Sequence, residues 1–236
     1  MRAPLLLLTC ACATSAPVGG RLALSEGYLP FTRPAAPASI PPASDGTSRP
    51  LVVPPGARAS ALDAARNLVG KRQIAVGARR FGDDCTGLVR AVYSQAGVDL
   101  MADGAGGDNG VTAIWRFASR HGRIFEVGRP LPGDLVFFRD TYDLNRDGRT
   151  NDGLTHVGVV DDVEADGTVV VIHRVASGVV RYRMNLEHRD QPTDHDGHRW
   201  NDWLRAEQAG ARPRLTGQLF AGYATLLPVE SRFARR

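Results

Sequence analysis

Residues 155–173 read THVGVVDDVEADGTVVVIH. Two β-rich runs flank Glu164-Ala165-Asp166-Gly167, which has the composition of a four-residue hairpin loop. Pairing Val163 with Thr168 sets His173 opposite Gly158. Side chains alternate along a strand, so positions 156, 158 and 173 then project from one face. His173 becomes the diagonal neighbour of His156, at about 7–8 Å between Cα atoms, within reach of long side chains. The glycine directly opposite leaves room for the ring. Taken singly, each histidine reads as a half-exposed residue at a strand end. On one face of a hairpin they form a pair in which one ring can hold the other as an oriented base.

Upstream of the hairpin the apolar period is helical. Leu62, Ala65 and Val69 recur at helical spacing over residues 60–69, with Ser60 and Asp63 as a start signal and Gly70 as a stop. A second helix is expected over 85–96, with Leu88, Val89, Val92 and Ala96 on one face and Gly97 beyond it. A third is expected over 111–120, turning Ile114 and Phe117 inward. Downstream, residues 134–138, 156–163, 169–173, 178–184 and 219–225 read as strands bounded by Gly, Asp and Pro. Helices first and an antiparallel sheet afterwards define an α+β fold.

Cys85 falls at the start of the second helix, with Asp84 as its expected cap. Free N–H groups of a first turn, with the helix dipole, favour a thiolate, which predicts a lowered thiol pKa. Position 85 also shares a face with Leu88, Val89 and Val92, so a small core residue is the plainer reading of the helix alone. The histidine pair tips the balance toward a nucleophile, Cys85, with His156 as base and His173 as orienting residue.

The ordered set Asp84-Cys85-Thr86-Gly87-Leu88-Val89, Pro132-Gly133-Asp134-Leu135-Val136-Phe137-Phe138, Thr155-His156-Val157-Gly158-Val159-Val160 and Ile172-His173 resembles the successive motifs of the NlpC-type peptidoglycan cysteine peptidases. Asp166-Gly167-Thr168-Val169-Val170-Val171 is similar to the related CHAP amidases. The resemblance spans about residues 60–175. It implies a compact papain-like domain, a triad at Cys85, His156 and His173, and cleavage of amide bonds in cell-wall stem peptides. Those families usually carry a tyrosine shortly before the cysteine, near the oxyanion. Here Ala75-Val76-Gly77-Ala78-Arg79-Arg80-Phe81 has none. Oxyanion stabilisation would then fall to the Cys85 N–H and another donor, and Arg79, Arg80 and Asp84 are the expected substrate contacts. An acyltransferase or amidase acting outside the wall, and an envelope-binding domain without catalysis, are the competing readings.

Residues 1–13 have the layout of an export signal: one Arg, the apolar run Leu5 to Leu8, then small residues. Cleavage after Ala13 gives a secreted protein. A lipid on Cys10 or Cys12 would instead give a membrane-attached one. Either way the protein is expected to be exported to the cell envelope. The Pro/Ala/Ser-rich stretch 14–56 reads as an extended tether, leaving 57–236 as the hydrolase domain. With the signal gone, Cys85 is the sole cysteine of the domain, and a lone cysteine in an exported chain is either a buried bystander or a working thiol. A formal charge of +4 suits an anionic envelope. No basic stripe with interleaved aromatics points to nucleic acid. A monomer acting on peptidoglycan is expected.

Asp143, Asn145, Asp147, the Arg149 carbonyl and Asp152 follow the first half of a calcium loop, with Gly148 at the sharp turn and Leu154 where a terminal glutamate would stand. An Asn/Asp-rich turn with no metal is the plainer reading, and a structural Ca²⁺ before His156 is the alternative. His188, His195 and His198 match no zinc spacing and read as loop.

Overall fold

The computed structural model describes residues 51–207 and 212–229. The expected signal and lipidation site, and the tether up to residue 50, lie outside them. Within the remaining tether residues, Leu51 and Val53 pack against the apolar core. Helix α1 (Ala57–Leu68) starts earlier than its sequence signal, from Gly56 in the left-handed region at φ 81°, rather than from Ser60. Its buried face is Ala57, Arg58, Ala61, Ala65 and Leu68, rotated from the Leu62–Ala65–Val69 stripe. The reason is Arg58, a charged residue turned inward that apolar periodicity does not count.

A short hairpin follows, β1 (Ala75–Val76) and β2 (Arg79–Arg80). Helix α2 (Cys85–Gln95) buries Leu88, Val89 and Val92, and α3 (Gly110–His121) buries Ile114 and Phe117, as their periods predict. Then come β3 (Arg123–Phe125), β4 (Leu135–Arg139), β5 (Leu154–Val163), β6 (Val169–Val175) and β7 (Gly178–Met184). The chain continues through β8 (Trp203–Arg205), β9 (Arg214–Leu215), the single-turn α4 (Thr216–Leu219) and β10 (Phe220–Thr225). One six-stranded sheet runs in the order β3-β10-β4-β5-β6-β7, antiparallel throughout. The fold is α+β, as expected.

Both faces of the sheet are covered. Val157, Val159, Leu135, Phe137 and Ile172 pack with α1, α2 and α3, while Val136, Phe138, Val160, Val171 and Met184 form a second cluster with Leu186, Leu204 and Phe220. That is why β5 is buried over its first eight residues and lacks the alternation of a half-exposed strand.

The β5–β6 hairpin pairs Gly158 with His173, as the sequence predicts, but its turn differs. Val163 pairs with Val169 rather than Thr168, and the register shifts by one residue between Val160 and Asp162. Asp161 is the extra residue of this bulge. Its carboxylate takes Arg66 Nε and Arg181 Nε, each at 2.6 Å. Burial works against its charge, yet Arg181 and Arg66 outweigh it and hold the carboxyl below its usual range.

Candidate active site

Asp84 starts α2. Its Oδ1 accepts from Gly87 N at 2.7 Å and from the Thr86 hydroxyl at 2.8 Å, so this carboxylate serves as the helix cap. Cys85 follows as the first helical residue and is partly exposed. The N–H groups of Val157 on β5, of Thr86 and of Cys85 itself favour its thiolate form. Cys85 packs against the apolar cluster that includes Val157, the neighbour of His156 on β5. Asn109, the cap of α3, anchors the same corner by donating to the Leu154 carbonyl at 3.1 Å.

His156 and His173 meet as the register requires. His156 Nε2 lies 2.8 Å from His173 Nδ1, with the rings nearly perpendicular at 84°. Gly158 makes this possible: a Cβ there would stand 2.7 Å from Val171 Cγ1 and 3.1 Å from His173 Cβ. Both histidines are buried. Burial lowers His156 to about 4, and burial with the neighbouring His156 holds His173 well below its usual value. The pair is neutral at pH 7. His156 Nδ1 is the ring nitrogen that His173 leaves free.

The thiol corrects one expectation. Burial pushes Cys85 up to about 11, against the pull of the Val157, Thr86 and Cys85 N–H groups and reinforced by the charge of Asp84. The helix start favours the thiolate, as predicted, but desolvation is larger. At pH 7 the thiol and the imidazole are therefore both uncharged.

Arg79 and Arg80 sit on the exposed β1–β2 hairpin. The Arg79 guanidinium lies 4.7 Å over the Phe81 ring, and Arg80 pairs with Asp83 at 3.6 Å. A groove of about 810 Å³ lined by Asp63, Asn67, Lys71, Arg72, Gln73 and Gln95 includes none of Cys85, His156 and His173. Tyr142, on which the sequence gives no signal, follows a loop residue tied to β5. Thr141 N and Thr141 Oγ1 are tied to Thr155 Oγ1 at 2.9 and 2.8 Å, setting this loop beside the residue before His156. Burial raises the Tyr142 hydroxyl, and so do the charges of Cys85, Asp84 and Asp152.

In the 143–152 loop the acidic side chains face their own backbone. Asp143 accepts from Asp147 N and Gly148 N, Asp147 from Arg149 N, and Asp152 from Leu144 N and Asn145 N. Among the described residues, metal-capable His, Cys, Asp and Glu groups converge within 4.8 Å only at Glu164, Asp166 and His198. The Asp143, Asp147 and Asp152 carboxylates do not converge in this way. His188 stacks on Trp200 at 3.5 Å and His195 pairs with Asp196, so the three downstream histidines hold no common site.

Residues 75–174 match the model of the CHAP domain, a stretch that contains Cys85, His156 and His173. The expected likeness to CHAP-type domains is met over that stretch. No curated protein matches the chain. Among solved structures, a Staphylococcus aureus protein described as similar to lipoprotein, NLP/P60 family, aligns over 58% of this chain at 22% identity with a TM-score of 0.34. The chain spans 39% of the length of that structure.

Proposed function

We propose that the protein is an exported cysteine hydrolase that cleaves amide bonds in cell-wall stem peptides. The observation that carries this reading is the 2.8 Å contact between His156 Nε2 and His173 Nδ1, with Cys85 at the start of α2. Cys85 Sγ attacks the scissile carbonyl while His156 Nδ1 takes the thiol proton. The C–N bond breaks as His156 returns that proton to the leaving amine, giving a thioester. Water, deprotonated by the same nitrogen, then releases the acid and restores the thiol. His173 fixes the ring plane of His156. Because the resting thiol is protonated, proton transfer accompanies attack rather than preceding it. The Cys85 N–H at the helix start is the first oxyanion donor, and the Tyr142 hydroxyl is the second, in place of the tyrosine missing before the cysteine.

The 143–152 loop enters the proposal as a structural calcium loop, with Asp143, Asn145, Asp147, the Arg149 carbonyl and Asp152 as donors. The carboxylates would have to leave their backbone partners to converge, so no catalytic step depends on the ion. On this reading, chelation lowers Tm and leaves Cys85 chemistry unchanged.

Incubating the full-length protein with peptidoglycan tests the function, with released fragments read by mass spectrometry beside Cys85→Ala and His156→Ala. New termini from amide cleavage are expected with the wild type alone. Equal release by wild type and Cys85→Ala, or none across walls of different stem-peptide chemistry, would refute it.

A further inference from the structure

Among the described residues, His173 Nε2 is buried without a hydrogen-bond partner. A histidine that is wholly buried and neutral must still carry one ring proton, and where that proton sits decides what His156 can do. If His156 Nε2 donates to His173 Nδ1, the His173 proton is on Nε2 and His156 Nδ1 is bare. If His173 Nδ1 donates instead, His156 carries its proton on Nδ1 and is no base toward Cys85. The first arrangement leaves a buried N–H to be satisfied, and the second leaves a buried lone pair. With nothing beside Nε2, the second is the cheaper, because an unpaired buried donor is costly.

The sheet register shows what lies beside Nε2. His173 pairs with Gly158 on β5 and with Val180 on β7, so His156 and Tyr182 share its face. His156 lies across β5, toward the Val175 end of β6. Tyr182 pairs with Val171, so it lies across β7 and toward the other end. The two rings therefore flank His173 on opposite sides. The Nε2–Cδ2 edge of an imidazole is opposite Nδ1, and Nδ1 is the atom that meets His156. The Tyr182 ring stands 4.4 Å from the His173 ring, centroid to centroid, tilted by 65°.

We propose that Tyr182 is a positioning residue: its ring face receives the His173 Nε2–H and so keeps the histidine pair in the tautomer that leaves His156 Nδ1 bare. An aromatic face is electron-rich, so it attracts an N–H and repels a lone pair. Tyr182 acts by this polarity, through its ring and not its hydroxyl. The inference rests on the reading of His156 as the base.

Ring ¹⁵N NMR of histidine-labelled full-length protein at neutral pH separates N–H from bare nitrogens without any substrate. In wild type and Tyr182→Phe, His173 is expected to carry its proton on Nε2 and His156 on its own Nε2. In Tyr182→Leu the proton pattern shifts toward His156 Nδ1–H, and kcat falls roughly two- to fivefold with KM unchanged, the scale of a weak N–H···π contact. A wild-type His173 with its proton on Nδ1 overturns the proposal, as does a Tyr182→Leu variant with the wild-type tautomer. Loss in Tyr182→Phe equal to that in Tyr182→Leu also overturns it, since the hydroxyl would then be the active group. If Tyr182→Leu fails to fold, the wild-type and Tyr182→Phe spectra decide. The stated tautomer in a protein that cleaves nothing refutes the function alone; cleavage by a protein with the opposite tautomer refutes the role of Tyr182 alone.

Discussion

At Gly158 a single hydrogen stands where any other residue would press on His173. An added Cβ would meet Val171 Cγ1 at 2.7 Å, the Ile172 carbonyl at 3.0 Å and His173 Cβ at 3.1 Å. Gly158→Ala is expected to destabilise by about 1–3 kcal/mol, as overpacking does, and to displace the orienting ring. Denaturant melts and kcat should fall together, with the loss in kcat exceeding what the melt explains. The titrating groups make separate predictions. With the thiol pushed up to about 11, iodoacetamide labelling of Cys85 should be slow at pH 7 and rise with pH toward that value. A labelling midpoint below pH 8 would mean that something charged reaches the thiol in solution. The histidines act on stability. The unfolded chain takes up their protons as pH falls through about 6.5, whereas folded His156 does so only near 4 and His173 lower still. Stability is therefore complete above that window and is lost on acidification through it. His156 alone accounts for a loss on the order of 3 kcal/mol. Urea midpoints measured between pH 7 and pH 4 check the sign.

Among the elements, α2 depends most on one side chain. Asp84 caps it through Gly87 N, and its charge also raises the thiol. Asp84→Ala should cost about 1 kcal/mol of stability. Asp84→Asn keeps a cap oxygen but removes the charge, so it should melt near wild type while Cys85 labels faster at a given pH. The elements also show what the sequence makes legible. Helices α2 and α3 have continuous apolar faces, and their periods locate them. The face containing His156, Gly158 and His173 follows from strand alternation, which survives a small error in the turn. Such an error occurred: the turn holds one residue more than its composition suggests, and the bulge at Asp161 removes the offset before the register reaches Gly158. The extra residue is an aspartate bonded to Arg66 and Arg181, far apart in sequence, and local pattern carries no trace of that. The place of Tyr142 is illegible for the same reason, because it follows from the Thr141–Thr155 tie across a loop.

Across the whole molecule, a buried ion pair joins segments that periodicity treats separately. Arg58 on α1 meets Asp134 at 2.9 Å and donates to the carbonyls of Pro132 at 2.7 Å and Leu227. Asp134 also accepts from Leu131 N and the Thr225 hydroxyl, both at 2.9 Å. The Gly133 carbonyl receives the Tyr93 hydroxyl at 2.8 Å. The Pro132-Gly133-Asp134 motif thus acts as a structural joint between α1, α2, β4 and β10. Arg58→Met leaves Asp134 buried and without its cation, and should destabilise by about 3–5 kcal/mol in denaturant melts. The double variant Arg58→Met/Asp134→Leu should recover much of that loss. The same arginine brings the two ends of the described chain together, since it reaches the carbonyls of Leu227 and Pro228 from the first turn of α1. A chain with neighbouring ends suits circular permutation. Linking residue 229 back to residue 51 and opening the chain within the exposed 143–152 loop would start the protein next to β5. Cys85 would then follow His156 in sequence, with the same side chains meeting in space.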